Sequence, residues 1–162
     1  MNENLWKTLT TINEWVRFSE GKAVALLTAQ GVLIAVLSQI LLTGNQIFGT
    51  IESLLSGIAI ILNTASMFFS FLCLNPRLKL RGGISPLFFG SIASSFKDSI
   101  EYYEFYRSKM NTDETISKEL CGQIFVNSQI ANRKYRHVAY SIRLFFGSAL
   151  AWILFTVVRM GC

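Results

Sequence analysis

Two long stretches without an ionisable side chain constrain this chain more than any other feature of its sequence. No Asp, Glu, Lys, Arg or His occurs from Ala23 to Ile51 or from Ser53 to Pro76. Of the 162 residues, 51% are hydrophobic and 15% are charged, whereas a soluble domain carries about 25% charged residues. Only lipid or a very large core could cover such runs, so we expect an integral membrane protein.

The lengths of the apolar segments predict three transmembrane helices. About 20 helical residues cross the hydrocarbon core of a bilayer, and residues 23–42 and 53–74 have that length on either side of a turn signal. A shorter third span is predicted from Leu144 to Val158, with Arg143 and Arg159 extending toward the headgroups. The predicted fold is an all-α membrane protein without β-sheet, and the absence of a secretory signal pattern predicts that the first span is retained.

Positive charge in the flanking loops predicts the orientation of these spans. The turn between the first two spans has none, whereas basic residues follow the second span and precede the third. These residues are Arg77, Lys79, Arg81, Arg133 and Lys134. We therefore expect a cytoplasmic N-terminus and basic region, and a C-terminus on the opposite side of the membrane.

The regions outside the predicted spans have helical periodicity. Residues 1–22 form an expected amphipathic helix that continues into the first span, and a second helix is predicted from Ile92 to Met110. Asn111 and Glu114 are placed to cap a further helix that runs on into the third span. The predicted regions are an N-terminal helix (1–22), a transmembrane hairpin (23–74), a basic helical region (75–137) and a third span with its tail (138–162).

No arrangement of residues indicates catalysis. His137 has no nucleophile and carboxylate at a spacing that would identify a catalytic site, and Cys73, Cys121 and Cys162 match neither a disulfide framework nor a metal site. We therefore expect no enzyme, no metal and no cofactor. Within the spans, Gln30 and Asn63 are expected to pack helices together; alternatively, they line a path that opens on activation.

The remaining candidate for a binding site combines cations with aromatic side chains. Arg77, Lys79 and Arg81 occur near Phe88 and Phe89, and Arg133 and Lys134 precede Tyr135. Such groups can pair with a phosphate and stack a base. The alternative is that the cations only orient the chain and contact anionic lipid.

Several short motifs in a fixed order resemble those of one protein family, the transmembrane effectors of Pycsar, which are bacterial antiphage systems with a pyrimidine cyclase. The resemblance covers about Trp15 to Phe155. The motifs are Glu20-Gly21-Lys22-Ala23, Asn75-Pro76-Arg77, Leu87-Phe88-Phe89-Gly90-Ser91-Ile92, Gln123-Ile124 with Ser128, and Ile130-Ala131-Asn132-Arg133-Lys134-Tyr135. Two positions depart from the family pattern, which usually has Asp at the position of Glu20 and an acidic residue at the position of Ser91.

This resemblance implies a defence effector in the bacterial inner membrane. A neighbouring cyclase, with which no stable complex is expected, makes cyclic CMP or cyclic UMP during infection, and the effector senses it and impairs the membrane. We expect a homo-oligomer that contacts the lipid bilayer and no nucleic acid. The residues predicted to bind the nucleotide are Arg77, Lys79, Arg81, Phe88, Phe89, Gln123, Arg133, Lys134 and Tyr135, and those predicted to signal or pack are Glu20, Lys22, Gln30 and Asn63.

A rival hypothesis, independent of the resemblance, is a non-enzymatic membrane anchor or scaffold. In that case the amphipathic cytoplasmic helices bind a protein partner and the cations serve orientation alone. Charge reversal at Arg133 and Lys134 separates the two, because only the effector hypothesis predicts a change in the response to a nucleotide.

Overall fold

The computed structural model describes residues 2–43, 49–75 and 84–161. These residues form five helices and no strand, which confirms the predicted all-α fold. The helices are α1 (Asn2–Thr43), α2 (Thr50–Leu74), α3 (Phe89–Ser95), α4 (Ser99–Lys109) and α5 (Asp113–Gly161). Within the described residues, α1, α2 and α5 are long and apolar enough to cross a membrane.

The chain divides into two compact units. The three-helix unit comprises Phe18–Asn75 and Arg133–Cys162, and the short-helix unit comprises Met1–Arg17 and Pro76–Asn132. The helices α1 and α5 each contribute residues to both units.

The N-terminal part of α1 has the expected amphipathic character. Leu9 and Ile12 are buried in the short-helix unit, as the spacing of three residues between them predicts for one helix face. Asn13 Oδ1 accepts a hydrogen bond of 2.9 Å from Asn127 Nδ2 on α5. The helix continues to Thr43, which confirms that the amphipathic segment and the first apolar segment form one helix.

The ends of α2 follow from local chemistry. At its start, the Glu52 carboxylate accepts a hydrogen bond of 2.9 Å from the Gly49 backbone N–H, which satisfies a donor outside the first helical turn. At its end, Asn75 is extended, with φ −62° and ψ 117°, because the residue before a proline is disfavoured in helical geometry. The helix thus ends where the Asn-Pro pair predicts.

The prediction of one helix from Ile92 to Met110 was wrong, because the segment contains two helices, α3 and α4. The chain is extended at Phe96 and Asp98, and the Asp98 carboxylate accepts from the backbone N–H groups of Ile100 and Glu101, each at 2.9 Å. An Asp that caps a new helix competes with continuation of the preceding one. The Asp98-x-x-Glu101 pattern is the sequence signal for this break.

The start of α5 also differs in detail from the prediction, which assigned the cap to Asn111 and Glu114. The Thr112 hydroxyl accepts from the Thr115 backbone N–H at 3.3 Å, and the Thr112 backbone N–H donates to the Thr115 hydroxyl at 3.2 Å. This reciprocal pair lies one residue further along the chain than predicted. From there α5 continues to Gly161 without a break, as the sequence indicates.

Candidate functional site

Buried residues in the three-helix unit recur at the alternating three- and four-residue spacing of packed helices. The buried residues of α2 that follow this spacing are Ser56, Ala59, Asn63, Ser66, Ser70 and Cys73. Buried residues of α1 and α5 in the same unit are Ser19, Ala23, Gln30, Leu37, Lys134, Val138, Ser141, Ser148, Ala151, Trp152 and Phe155. Most of the α2 positions thus hold small or polar side chains.

The outer surface of this unit is apolar, which is the reverse of a soluble protein. Leu54, Ile61 and Phe68, spaced seven apart on α2, are all exposed, with Ile61 at 68%. Apolar surfaces with small and polar residues between the helices are typical of membrane bundles, because lipid replaces water outside and close helix packing holds the interior.

One end of the interior is apolar. Leu37, Ala59 and Trp152 pack with Ala151 and Phe155 in one cluster. The Trp152 and Phe155 rings are stacked, with centroids 4.8 Å apart and planes 8° apart. This end is held by side-chain packing.

The middle of the interior is a hydrogen-bond network centred on Ser141. The Ser66 hydroxyl donates to the Ser141 carbonyl at 2.7 Å, and the Ser141 hydroxyl lies 3.0 Å from the Ser66 carbonyl. The hydroxyls of Ser70 and Ser141 are 2.6 Å apart. Gln30 Nε2 donates to the hydroxyls of Ser66 and Ser141, at 2.5 and 3.3 Å. All three helices are therefore joined at this level.

The direct bonds between hydroxyl and backbone carbonyl bring α2 and α5 into close contact at Ser66 and Ser141. Gln30 and Asn63 lie in this packed region, and Asn63 Nδ2 donates to the Gln30 carbonyl at 3.4 Å. Their side-chain carbonyl oxygens are buried and have no hydrogen-bond partner among the described residues. Gln30 and Asn63 therefore lie where the three helices meet, and their role in packing or in a path that opens on activation stays a prediction.

A charged pair lies at the other end of the interior. Lys134 Nζ donates to Glu20 Oε1 at 2.5 Å and to the Cys73 carbonyl at 2.8 Å. The Lys134 side chain is 10% exposed and that of Glu20 is 39% exposed. A buried lysine without a partner is strongly destabilising, so Glu20 and the end of α2 together hold this ammonium group in place.

Lys22 and Tyr135 are brought together beside this pair. The Lys22 ammonium lies 4.4 Å from the centroid of the Phe18 ring and 5.8 Å from that of Tyr135. Both distances are within the range of cation–π attraction. Two residues that the motifs single out, one on α1 and one on α5, therefore share a site.

The predicted nucleotide-binding residues fall in different parts of the chain. Arg77, Lys79 and Arg81 lie outside the described residues. Phe88, Phe89 and Gln123 belong to the short-helix unit, whereas Arg133, Lys134 and Tyr135 belong to the three-helix unit. Their assignment to one ligand stays a prediction.

Within the short-helix unit, Gln123 is part of a small polar cluster. Gln123 Nε2 donates to the Ser85 hydroxyl at 2.8 Å, and that hydroxyl donates to Glu119 Oε2 at 3.3 Å. Phe89 is 66% exposed, and its ring centroid lies 5.0 Å from that of Phe88. Ser85 and Glu119 are residues that sequence reasoning missed, and the spacing of four between Glu119 and Gln123 was the available signal.

Arg143 lies deeper in the three-helix unit than its predicted place at the end of the third span. Ser141 contacts Ser66 and Ser70, and Ser148 contacts the Ala59 carbonyl. Arg143 is therefore beside the middle of the predicted second span, and its side chain is exposed. An arginine at the centre of a membrane helix costs about 2.5–3.5 kcal/mol on insertion scales.

The described residues contain no group of His, Cys, Asp or Glu side chains that could hold a metal ion. Residues 4–159 match the family model for the Pycsar effector protein domain. The chain is similar to the Pycsar effector protein PtPycTM of Propioniciclava tarda, at 29% identity over 98% of this chain and 81% of that relative. No solved structure matches the chain.

Proposed function

Because the chain belongs to the Pycsar effector family, we propose that it is an antiphage effector that a cyclic pyrimidine mononucleotide switches on to impair the inner membrane. The observation that carries this proposal is the family match over residues 4–159, which includes parts of both units. The bilayer, a cyclic nucleotide and a neighbouring cyclase are the partners that follow from it.

The charged end of the three-helix unit supports a response to a phosphate anion. Arg133 is exposed and directly precedes Lys134 on α5, and a guanidinium group binds phosphate in two parallel hydrogen bonds. The Glu20 carboxylate is itself partly exposed, so a phosphate held by Arg133 can compete with Glu20 for Lys134. The phosphate of the ligand then takes the place of the Glu20 carboxylate as the partner of Lys134.

Tyr135 supplies a ring for the pyrimidine. Its face lies near the Lys22 ammonium, and a base that stacks on it displaces a weak cation–π contact. Lys22 then becomes available to the phosphate. In this arrangement Glu20 and Lys22 respond to the ligand, as expected for signalling residues.

Lys134 connects ligand binding to the helices. Its ammonium also holds the Cys73 carbonyl at the end of α2, so withdrawal of Lys134 from Glu20 weakens a contact between α2 and α5. A ligand shifts a conformational equilibrium only by its difference in affinity for the two states. The state with the Lys134–Glu20 pair intact is the resting state in this proposal.

The scaffold hypothesis retains one supporting observation. Ile100 and Tyr103 on α4 in the short-helix unit are well exposed, which is typical of a surface that binds a protein partner. The scaffold hypothesis predicts no binding of a cyclic nucleotide, so nucleotide binding discriminates between the two hypotheses.

Calorimetry on the full chain in detergent tests the sensing step. Cyclic CMP or cyclic UMP should bind, and Arg133→Glu should weaken binding by about tenfold or more, since a hydrogen bond to a charged group contributes about 1.5–3 kcal/mol. The matched control is Arg107→Glu, an equal change of charge at an exposed arginine on α4. No binding of any cyclic nucleotide would overturn the proposal and leave the scaffold hypothesis.

A further inference from the structure

One face of α5 changes from charged to apolar along its length. Residues spaced seven apart lie on the same side of a helix, and four of them on this face are exposed: Arg136, Arg143, Leu150 and Val157. Tyr140 is exposed between the two arginines. Arg136, Tyr140 and Arg143, here termed the arginine stripe, therefore continue directly into an apolar surface on the same helix.

The arginine stripe begins near the membrane surface and extends into the apolar part of the three-helix unit. Lys134 donates to the Cys73 carbonyl at the end of α2, and Arg136 is two residues further along α5. Arg143 follows after seven more residues, or about 10.5 Å at 1.5 Å per residue. In a hydrocarbon core about 30 Å thick, its Cα therefore lies well below the headgroups. Helical Cα–Cβ bonds tilt toward the N-terminus, so the Arg143 side chain starts in the direction of Arg136.

Nothing in the described part of the chain neutralises the two arginines of the stripe. Neither Arg136 nor Arg143 forms a hydrogen bond or an ion pair there. The interior is closed to the Arg143 guanidinium, because Ser66 and Ser141 are in direct contact. A charged side chain inside a span is costly unless it reaches a polar partner. The stripe therefore needs an anion from outside the chain.

The helix α2 lines one side of the arginine stripe. The ring centroids of Tyr140 and Phe69 are 5.4 Å apart. Seven residues beyond Tyr140, Gly147 lies so close to α2 that an added Cβ would be 3.4 Å from Leu62 Cδ1. Tyrosine is common at headgroup level in membrane proteins, because its ring is apolar and its hydroxyl is polar. A molecule bound to the stripe thus also has aromatic and apolar side chains of α2 beside it.

We propose that the arginine stripe is a binding site for an anionic phospholipid. Its phosphate lies between Arg136 and Arg143, and its acyl chains lie along Leu150 and Val157. Guanidinium groups bind phosphate with paired hydrogen bonds, and the arginine below the headgroups gains a counter-ion. A phospholipid also matches the order of the face, since its charged headgroup is followed by apolar chains.

Charge selects this occupant over a second copy of the chain. Symmetric association brings copies of one residue together, which would place arginines against arginines. The site also differs from a general attraction of surface cations to anionic lipid, because it requires Arg143 inside the span. The proposal concerns the chain before any signal arrives and does not depend on a response to a nucleotide.

Native mass spectrometry of the full chain, released from neutral detergent, tests this site by resolving single bound lipids. The probes are phosphatidylglycerol, which is anionic, and phosphatidylcholine with the same acyl chains, which has no net charge. The variants are Arg136→Gln, Arg143→Gln and Arg143→Lys. The matched control is Arg17→Gln, which removes an equal charge at an exposed position of α1.

We expect the wild-type chain to bind phosphatidylglycerol about tenfold more tightly than phosphatidylcholine. Arg136→Gln and Arg143→Gln should each weaken binding of phosphatidylglycerol about fivefold, the effect of one basic residue beside an anionic lipid, and should leave phosphatidylcholine unaffected. Arg143→Lys keeps the charge and should retain most of the preference. Arg17→Gln should change neither affinity by more than about twofold.

A wild-type chain without preference for phosphatidylglycerol would overturn the proposal. So would an equal loss of affinity in Arg17→Gln and Arg143→Gln, since that result indicates attraction to the total charge of the chain. Glycerol 3-phosphate in hundredfold excess should not displace the lipid, and displacement would indicate a site for free phosphate instead. A chain that shows the lipid preference but binds no cyclic nucleotide would contradict only the proposed function.

Discussion

The two ends of the three-helix interior use the same helices in different ways. At one end Leu37, Trp152 and Phe155 pack in an apolar cluster, whereas at the other Lys134 and Glu20 are joined by charge and a hydrogen bond. Close-packed side chains fit together in one arrangement. A hydrogen-bonded ammonium group, in contrast, can exchange one anionic partner for another. The comparison indicates that the apolar end holds the helices together and that the charged end is where a ligand can change their contacts.

The largest loss of stability should come from truncating a large side chain at the apolar end of the interior. Phe155→Ala should lower the free energy of unfolding by about 3 kcal/mol, the lower part of the range for a buried Phe, because the lost packing leaves a cavity. The exposed Phe125 on the same helix is the control, and Phe125→Ala should change stability by less than about 0.5 kcal/mol. Denaturant unfolding in micelles measures both, and equal effects would contradict the assignment of this end.

An intermediate effect should come from breaking the charged end. Glu20→Gln leaves Lys134 without its anion and should cost about 1–3 kcal/mol, while Glu14→Gln, at an exposed position of the same helix, should be neutral. The double variant Glu20→Gln with Lys134→Met should recover most of the loss, because an apolar pair has no charge to compensate. If the double variant is no more stable than Glu20→Gln alone, then Glu20 does not stabilise the protein through its ion pair with Lys134.

The smallest effect should come from the middle network. Ser141→Ala removes a hydroxyl that Ser66, Ser70 and Gln30 all contact, and hydrogen bonds in membrane bundles average about 0.6 kcal/mol each. We expect a loss of about 1 kcal/mol. Thr64→Ala should have almost no effect, since within the described part of the chain the Thr64 hydroxyl bonds only to the Ile60 carbonyl of its own helix.

Much of the fold could be predicted from the sequence, because the charge-free segments and the 3.6-residue period act locally. The break between α3 and α4 was missed because the apolar spacing continues across Phe96 while the Asp98 cap ends the helix. Residue periodicity reports which face is buried, but it does not report where a side chain competes with the backbone.

Less of the candidate site could be predicted. Lys134 was identified from its motif, but its pairing with Glu20 joins residues more than a hundred positions apart, and no local pattern predicts that contact. Ser141 was not singled out because a lone serine at the approach to a span is not informative until α2 lies beside it. Arg143 was taken as a boundary residue because its neighbours in sequence are polar on one side and apolar on the other.

Dye release from vesicles tests the central claim most directly. Purified full-length protein in phospholipid vesicles should release an encapsulated dye when cyclic CMP or cyclic UMP is added, and Glu20→Gln should release dye at lower nucleotide concentrations because Lys134 is already free of its anion. Retention of the dye with every cyclic nucleotide, in vesicles that contain folded protein, would contradict the account.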